Sequence, residues 1–196
     1  RALKEIRVKH EVLPCPALFT TAVSITRKKR KRQHRRIAFV IQTNRTINQS
    51  IPEELVHASI WEVKRLREHG FKVDVICHYI DEFAEFSRSL APIRYSYDSS
   101  DYPSIFADYD LVISTRLHGA IIANSLGKPA ILLNADSRST GAAKLFPFIH
   151  VTAPNDLLSQ VDKVVNLPIH KLMKWKSKIK AQYIKFLQVA LKGQKK

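Results

Sequence analysis

Apolar positions along this chain fall into short unbroken runs separated by stretches with helical spacing. Residues 37–41 (Ile37, Ala38, Phe39, Val40, Ile41), 111–113 and 130–133 are continuous apolar runs of strand length. That pattern belongs to parallel strands covered on both faces. Residues 71–77 read as a further strand, 93–97 as a short one, and 148–151 as one more. Between them lie helical patterns. After Ser50, residues 53–69 carry Val56, Ile60 and Val63 on one face, with Leu55, Ser59 and Leu66 beside them. Ser50 with Glu53 makes a capping box, and Pro52 suits a first turn. Gly70 followed by Phe71 ends that helix as a glycine C-cap does. Residues 81–90, 102–107, 117–126 and 155–161 read as shorter helices. Residues 169–191 form a long basic amphipathic helix, with Leu172, Trp175, Ile179, Tyr183, Phe186 and Ala190 on one stripe. Strands alternating with helices specify a doubly wound, Rossmann-like parallel α/β sheet. Such a sheet binds ligands outside the carboxyl ends of its strands.

Four regions follow from the pattern. Residues 1–22 look like the end of a mostly missing N-terminal lobe, with helical residues 1–6, a strand over 8–13 and a break at Pro14-Cys15-Pro16. Residues 23–36 are a basic linker, 37–165 the α/β lobe, and 166–196 a basic helix and tail. Charge sharpens this division. The net charge of +16 would suggest a nucleic-acid binder, but residues 27–36 hold eight Lys or Arg and residues 163–196 ten Lys, neither with an acid. The rest of the chain is therefore close to neutral. No aromatic residue interleaves the basic run, as a stacking platform for single strands requires. Nucleic acid is thus not the expected partner; the stripe of the last helix is expected to pack across this lobe or back on the missing one, while its lysines keep contact with an anionic membrane surface open. No apolar run reaches the ~18 residues of a membrane span. The two cysteines, Cys15 and Cys77, make no disulfide framework or metal spacing, and Cys77 reads as a buried small hydrophobe. None of the histidines is spaced as a metal pair. No charged region followed by an apolar stretch opens the chain, so the expected setting is cytoplasmic, with peripheral contact at the inner face of the membrane.

The candidate chemistry sits where the apolar run 111–113 meets a helix. Three of the five glycines, Gly119, Gly127 and Gly141, fall around the segment Ser114-Thr115-Arg116-Leu117-His118-Gly119. Ser114 or Thr115 can cap the helix that follows. Its free N–H groups and positive dipole end then make an anion site. Arg116 can fork onto a carboxylate or phosphate. His118 can move a proton near neutral pH. Leu117 between them packs inward, and Gly119 in the first turn permits close approach to a ligand or a strand. Asp98 and Asp101 read as turn formers. No metal site is expected.

Residues 108–133, DYDLVISTRLHGAIIANSLGKPAILL, resemble the C-terminal motif of the polysaccharide pyruvyl transferase family: an acidic apolar strand, Thr-Arg-Leu-His-Gly, an apolar helix, then Gly-x-Pro and another strand. Residues 1–19 also resemble that family, whose Asp-Pro-Ala-Leu run appears here as Cys15-Pro16-Ala17-Leu18. The resemblance implies one lobe of a two-lobed, GT-B-like fold with the active site in the cleft. It implies transfer of the enolpyruvyl group of phosphoenolpyruvate onto a sugar or lipid-linked saccharide of a cell-surface polysaccharide, forming a pyruvate ketal without a cofactor. In those terms Arg116 and His118 are catalytic. Arg45, Thr115, Leu117, Gly119 and Arg138 bind substrate, Arg138 being preferred to Lys144. Only one full lobe is expected in this length. Two other readings stand beside this one. A GT-B glycosyltransferase would place the diphosphate of a nucleotide sugar at the same edge. A non-catalytic module would bind anions, nucleic acid or membrane through its basic segments.

Overall fold

A computed structural model describes residues 13–20, 35–43, 51–133, 141 and 144–193, with side chains to residue 191. The expected helix over 1–6, nearly all of the strand over 8–13, most of the basic run, Ser50, Arg45 and Arg138 lie outside the described residues.

Six parallel strands form one sheet: β1 (Arg36–Val40), β2 (Lys72–Cys77), β3 (Ile93–Tyr95), β4 (Leu111–Ser114), β5 (Ala130–Leu133) and β6 (Ile149–Thr152). Their order is β3-β2-β1-β4-β5-β6. Helices α1 (Glu53–Glu68), α2 (Ile80–Phe86), α3 (Tyr102–Ala107), α4 (Leu117–Ser125), α5 (Leu157–Val165) and α6 (Ile169–Gly193) cover both faces, and a short 3-10 turn, Pro16–Phe19, precedes β1.

The apolar runs explain the layering. Successive side chains of a strand point to opposite faces. In β1 and just beyond it, Ile37, Phe39 and Ile41 enter one core with Leu55, Val63 and Leu66 of α1 and Val161 of α5. Ala38 and Val40 enter the other, with Phe106 of α3, Ala120 and Ile121 of α4, Leu18 of the 3-10 turn and Ile179 of α6. A strand buried on both faces must be apolar at every position, which is why these runs do not alternate. Truncating Phe39, fully buried, to Ala would cost about 3–5 kcal/mol.

Helix ends show where local chemistry decided and where it did not. Gly70 sits at φ 83°, and the N–H of Phe71 returns to Leu66 O at 3.1 Å, closing α1 as its glycine implied. Gly127 does the same for α4 at φ 72°, with Lys128 N–H on Ala123 O at 2.9 Å. At the other end α1 begins at Glu53 with Pro52 as its cap, so the proline precedes the first turn instead of sitting in it. Helix α2 starts at Ile80 and stops at Phe86, short of the expected residue 90. Helix α5 runs on to Val165, past residue 161.

The stripe of α6 divides in two. Leu172 and Ile179 are buried, and Trp175 and Tyr183 pack against the core, whereas Phe186 and Ala190 are exposed. Lys176, buried among them, donates from Nζ to Ser125 O at 2.5 Å, at the carbonyl end of α4. A cation there meets the negative end of the helix dipole. Burial pushes its pKa down. Among the described residues, no helix is long and apolar enough to cross a membrane.

Candidate active site at the carboxyl edge of the sheet

The strand order reverses direction between β1 and β4, which lie side by side. The crevice beyond the carboxyl ends of two such strands is where open α/β sheets take ligands. Three segments meet there: Gln42 and Thr43 after β1, His78 and Tyr79 after β2, and Thr115 to Gly119 after β4.

The turn from β4 into α4 is not capped as its sequence suggests. Arg116 itself is the N-cap, in extended conformation with no side-chain cap bond. The Ser114 hydroxyl accepts from Arg116 N at 2.9 Å and donates to Arg116 O at 2.7 Å. Thr115 is directed into the sheet. Its Oγ1 accepts from Gln42 N at 2.8 Å, and its own N–H reaches Val40 O at 3.0 Å. The end of β1 consumes the Thr115 hydroxyl and the Arg116 backbone the Ser114 hydroxyl, so neither is left for the first N–H groups within α4. Leu117 packs against the α3–α4 core, as expected of the residue between Arg116 and His118. Gly119 is required by close approach. A Cβ there would stand 2.6 Å from Ser114 Oγ and 3.5 Å from Val40 Cγ2. The glycine lets the helix sit on the strand end, one of the two reasons its position suggests.

Arg116 turns inward. Its Nη2 donates to Glu82 Oε1, and its guanidinium lies over the Tyr79 ring, 4.8 Å from the centroid. Glu82 is fully buried and Arg116 nearly so. The same carboxylate accepts from His78 N at 2.9 Å, Tyr79 N at 3.3 Å and Thr43 N at 3.4 Å. One side chain therefore ties together the ends of β1, β2 and β4. Three buried polar atoms on residues that bond it have no hydrogen-bond partner: Thr43 Oγ1, His78 Nε2 and Arg116 Nε. Buried polar atoms are nearly always satisfied, so three on residues that share one partner call for an explanation.

His118 occupies the first turn of α4 and is exposed. Its Nε2 lies 4.0 Å from Cys15 Sγ, which is brought over by the 3-10 turn. Cys15 therefore stands beside the imidazole, in the place of the Asp common in the resemblance. His78 is a second imidazole at this edge. Burial, then the nearby Arg116 and His118, push its pKa down to about 4, so it is neutral at pH 7. Its ring meets Tyr102 edge-on, 4.7 Å between centroids. Burial pushes the adjacent Cys77 thiol up to about 12, as befits a packed, unreactive cysteine.

The structure thus gathers Thr115, Arg116, Leu117, His118 and Gly119 at one edge, while Arg45 and Arg138 lie outside the described residues. It adds Thr43, His78, Tyr79 and Glu82. His78 was accessible from the sequence, since it directly follows a strand whose carboxyl end faces the site. Glu82 was not, because its partner is 34 positions away. Asp98 serves a turn, accepting from Ser100 N at 2.8 Å. Among the described residues, no cluster of His, Cys, Asp and Glu could hold a metal ion.

Several solved structures share this fold. The UDP-GlcNAc 2-epimerase of Methanocaldococcus jannaschii, in complex with UDP-GlcNAc and UDP, superposes with a TM-score of 0.52 at 10% identity, over 69% of this chain and 40% of its own. The glycosyltransferase VinC, in complex with dTDP, gives 0.51 at 14% identity, over 92% and 45%. The glycotransferase of kitacinnamycin gives 0.50 at 13%, over 79% and 41%. At these identities the likeness is one of fold: a Rossmann-like lobe of GT-B architecture. The chain spans less than half the length of each. A comparison with curated proteins returns no match. The family model for polysaccharide pyruvyl transferase matches residues 2–137, from ahead of the 3-10 turn to beyond β5, including the whole Arg116–His118 edge. The chain belongs to the polysaccharide pyruvyl transferase family.

Proposed function

We propose that this chain is the donor-binding half of an enzyme that moves the enolpyruvyl group of phosphoenolpyruvate onto a sugar of a cell-surface polysaccharide, forming a pyruvate ketal. The observation that carries the reading is the placement of Arg116 at the N-cap and His118 in the first turn of α4, two residues apart, at the strand-order reversal. Phosphoenolpyruvate brings a carboxylate and a phosphate. The helix N-terminus and the unspent Nε of Arg116 suit one of these groups. Glu82 balances the charge of Arg116, so further positive charge is assigned to Arg45 and Arg138.

His118 is the general acid. It delivers a proton to the methylene carbon, and the adjacent carbon becomes oxocarbenium-like. A sugar hydroxyl attacks that carbon, and its proton returns to the imidazole as the new C–O bond forms. The C–O bond to phosphate then breaks, a second hydroxyl closes the ketal, and its proton leaves with phosphate. The acceptor, a sugar or lipid-linked saccharide, approaches from the side of the cleft opposite α4. The setting that suits this reaction is the cytoplasmic face of the membrane. No cofactor is required.

Ligand-dependent thermal unfolding tests the reading. Phosphoenolpyruvate should raise the melting temperature, and a nucleotide sugar should not. Protection by the nucleotide sugar alone would move the protein to glycosyl transfer.

A further inference from the structure

Burying a carboxylate costs several kcal/mol unless partners surround it. Glu82 has four: the N–H groups of Thr43, His78 and Tyr79, and the guanidinium of Arg116. A buried ion pair is weak evidence for stability, since apolar residues of similar volume often serve as well. Its position is more telling. Glu82 fixes Arg116 from one side while Tyr79 supports it from below, and Arg116 and two other partners of Glu82 carry buried polar atoms left unspent: Arg116 Nε, His78 Nε2 and Thr43 Oγ1.

This has a consequence for selectivity. A simple dianion entering the edge meets a guanidinium whose charge is already balanced at contact distance. Coulomb attraction is largely cancelled, and what remains is a set of directed groups in fixed places. A ligand carrying a carboxylate and a phosphate can use several at once. Free phosphate, present throughout a cell and also the product of the reaction, can use only some.

We propose that Glu82 is a positioning residue: it holds Arg116 in one orientation and masks its charge, so that the site selects phosphoenolpyruvate over inorganic phosphate by geometry and not by charge. This deepens the donor reading and rests on it.

The test is calorimetric titration of the chain with phosphoenolpyruvate and, separately, inorganic phosphate, at low and at physiological salt. Three proteins are compared: the parent, Glu82→Gln and Glu82→Asp. Glu82→Gln keeps the shape, removes the masking charge and is expected to bind phosphate about 10-fold more tightly at low salt. Its preference for phosphoenolpyruvate over phosphate should fall by a similar factor. Glu82→Asp keeps the charge but not the reach. It should leave phosphate binding weak while losing the preference. A merely structural role predicts something else: both ligands weakened by one common factor, or both unchanged. Either of those results overturns the proposal. If phosphoenolpyruvate fails to bind the parent while Glu82→Gln still tightens phosphate, the donor reading falls and the masking role stands. Should Glu82→Gln not fold, the preference lost in Glu82→Asp decides alone.

Discussion

The two ends of one sheet solve the same electrostatic problem in opposite ways. On the amino side, Asp74 of β2 is held by Arg36 at 3.3 Å, Arg94 at 3.5 Å and the Tyr109 hydroxyl at 2.6 Å. Arg94 also reaches Asp108, and Arg36 N–H reaches Asp110. Both guanidinium groups lie over the Tyr109 ring, 4.9 and 5.7 Å from its centroid. On the carboxyl side stand the same parts: a carboxylate (Glu82), an arginine (Arg116) and a tyrosine ring (Tyr79). The first cluster is redundant, with no orphaned atom among the described side chains. The second has one arginine for its acid and leaves three polar atoms unpaired. Redundancy is what a structural network looks like. Unspent hydrogen-bonding capacity at a strand-order reversal is what a ligand would use.

Substitutions can break or sharpen that contrast. The largest effect is expected at His118. In a catalytically competent, two-lobed protein, His118→Ala should lower kcat by about 10²–10⁴-fold, the range for a positioned proton donor. Retention of kcat in a pyruvyl-transfer assay would remove the general-acid role. Next, Arg116→Ala leaves a buried carboxylate without its counter-ion and should cost about 3–5 kcal/mol in urea unfolding. If the loss were only a few tenths, the carboxyl side would be as redundant as the amino side.

The pH dependence comes third. The folded-state pKa of His78 is about 4, below the ordinary 6.5. Its stabilising contribution is therefore complete above about pH 6.5 and lost as pH falls toward 4, on the order of 3 kcal/mol in all. Unfolding followed from pH 7 to 4 should show this slope, and His78→Gln should flatten it. Fourth, Gly119→Ala drives a methyl into Ser114 Oγ and displaces that hydroxyl from Arg116. About 1–3 kcal/mol is expected, the usual cost of overpacking. Unchanged stability would mean that the turn yields easily. The smallest effect belongs to the amino side. Tyr109→Phe removes one of three partners of Asp74 and should cost about 1 kcal/mol, with phosphoenolpyruvate binding untouched. A change in that binding would show the two ends to be coupled.

The same contrast runs through what the sequence could say. Strands β1, β4 and β5 were legible because a strand buried on both faces has no polar position to confuse the reading. The ends of α1 and α4 were legible because Gly70 and Gly127 adopt conformations costly for other residues. The Arg116–His118 edge was legible because the motif is local and follows a strand. What escaped depends on partners distant in the chain. Ser114 and Thr115 look like helix caps in isolation, yet the neighbouring β1 claims the Thr115 hydroxyl, and Ser114 folds back on Arg116. Arg116 reads as a free anion binder until Glu82 arrives from another helix. Cys15 and His118, 103 positions apart, meet only in the fold.

That last meeting is braced by α4 and by α6. The 3-10 turn carrying Cys15 is held on one side by Thr20 Oγ1, which donates to Ser125 Oγ at 3.2 Å. On the other it is held by Tyr183, whose hydroxyl donates to Pro14 O and whose ring meets Phe19 edge-on. Pro14 and Tyr183 are 169 positions apart. Closing so long a loop is entropically slow. During synthesis, the sheet, the Arg116 turn and the contact of Thr20 with α4 can form well before residue 183 leaves the ribosome, but the clamp of Tyr183 on Pro14 cannot. A product truncated before α6 would keep the fold of the edge and the contact of the turn with α4, and would lose the Tyr183 clamp that helps to hold Cys15 beside His118.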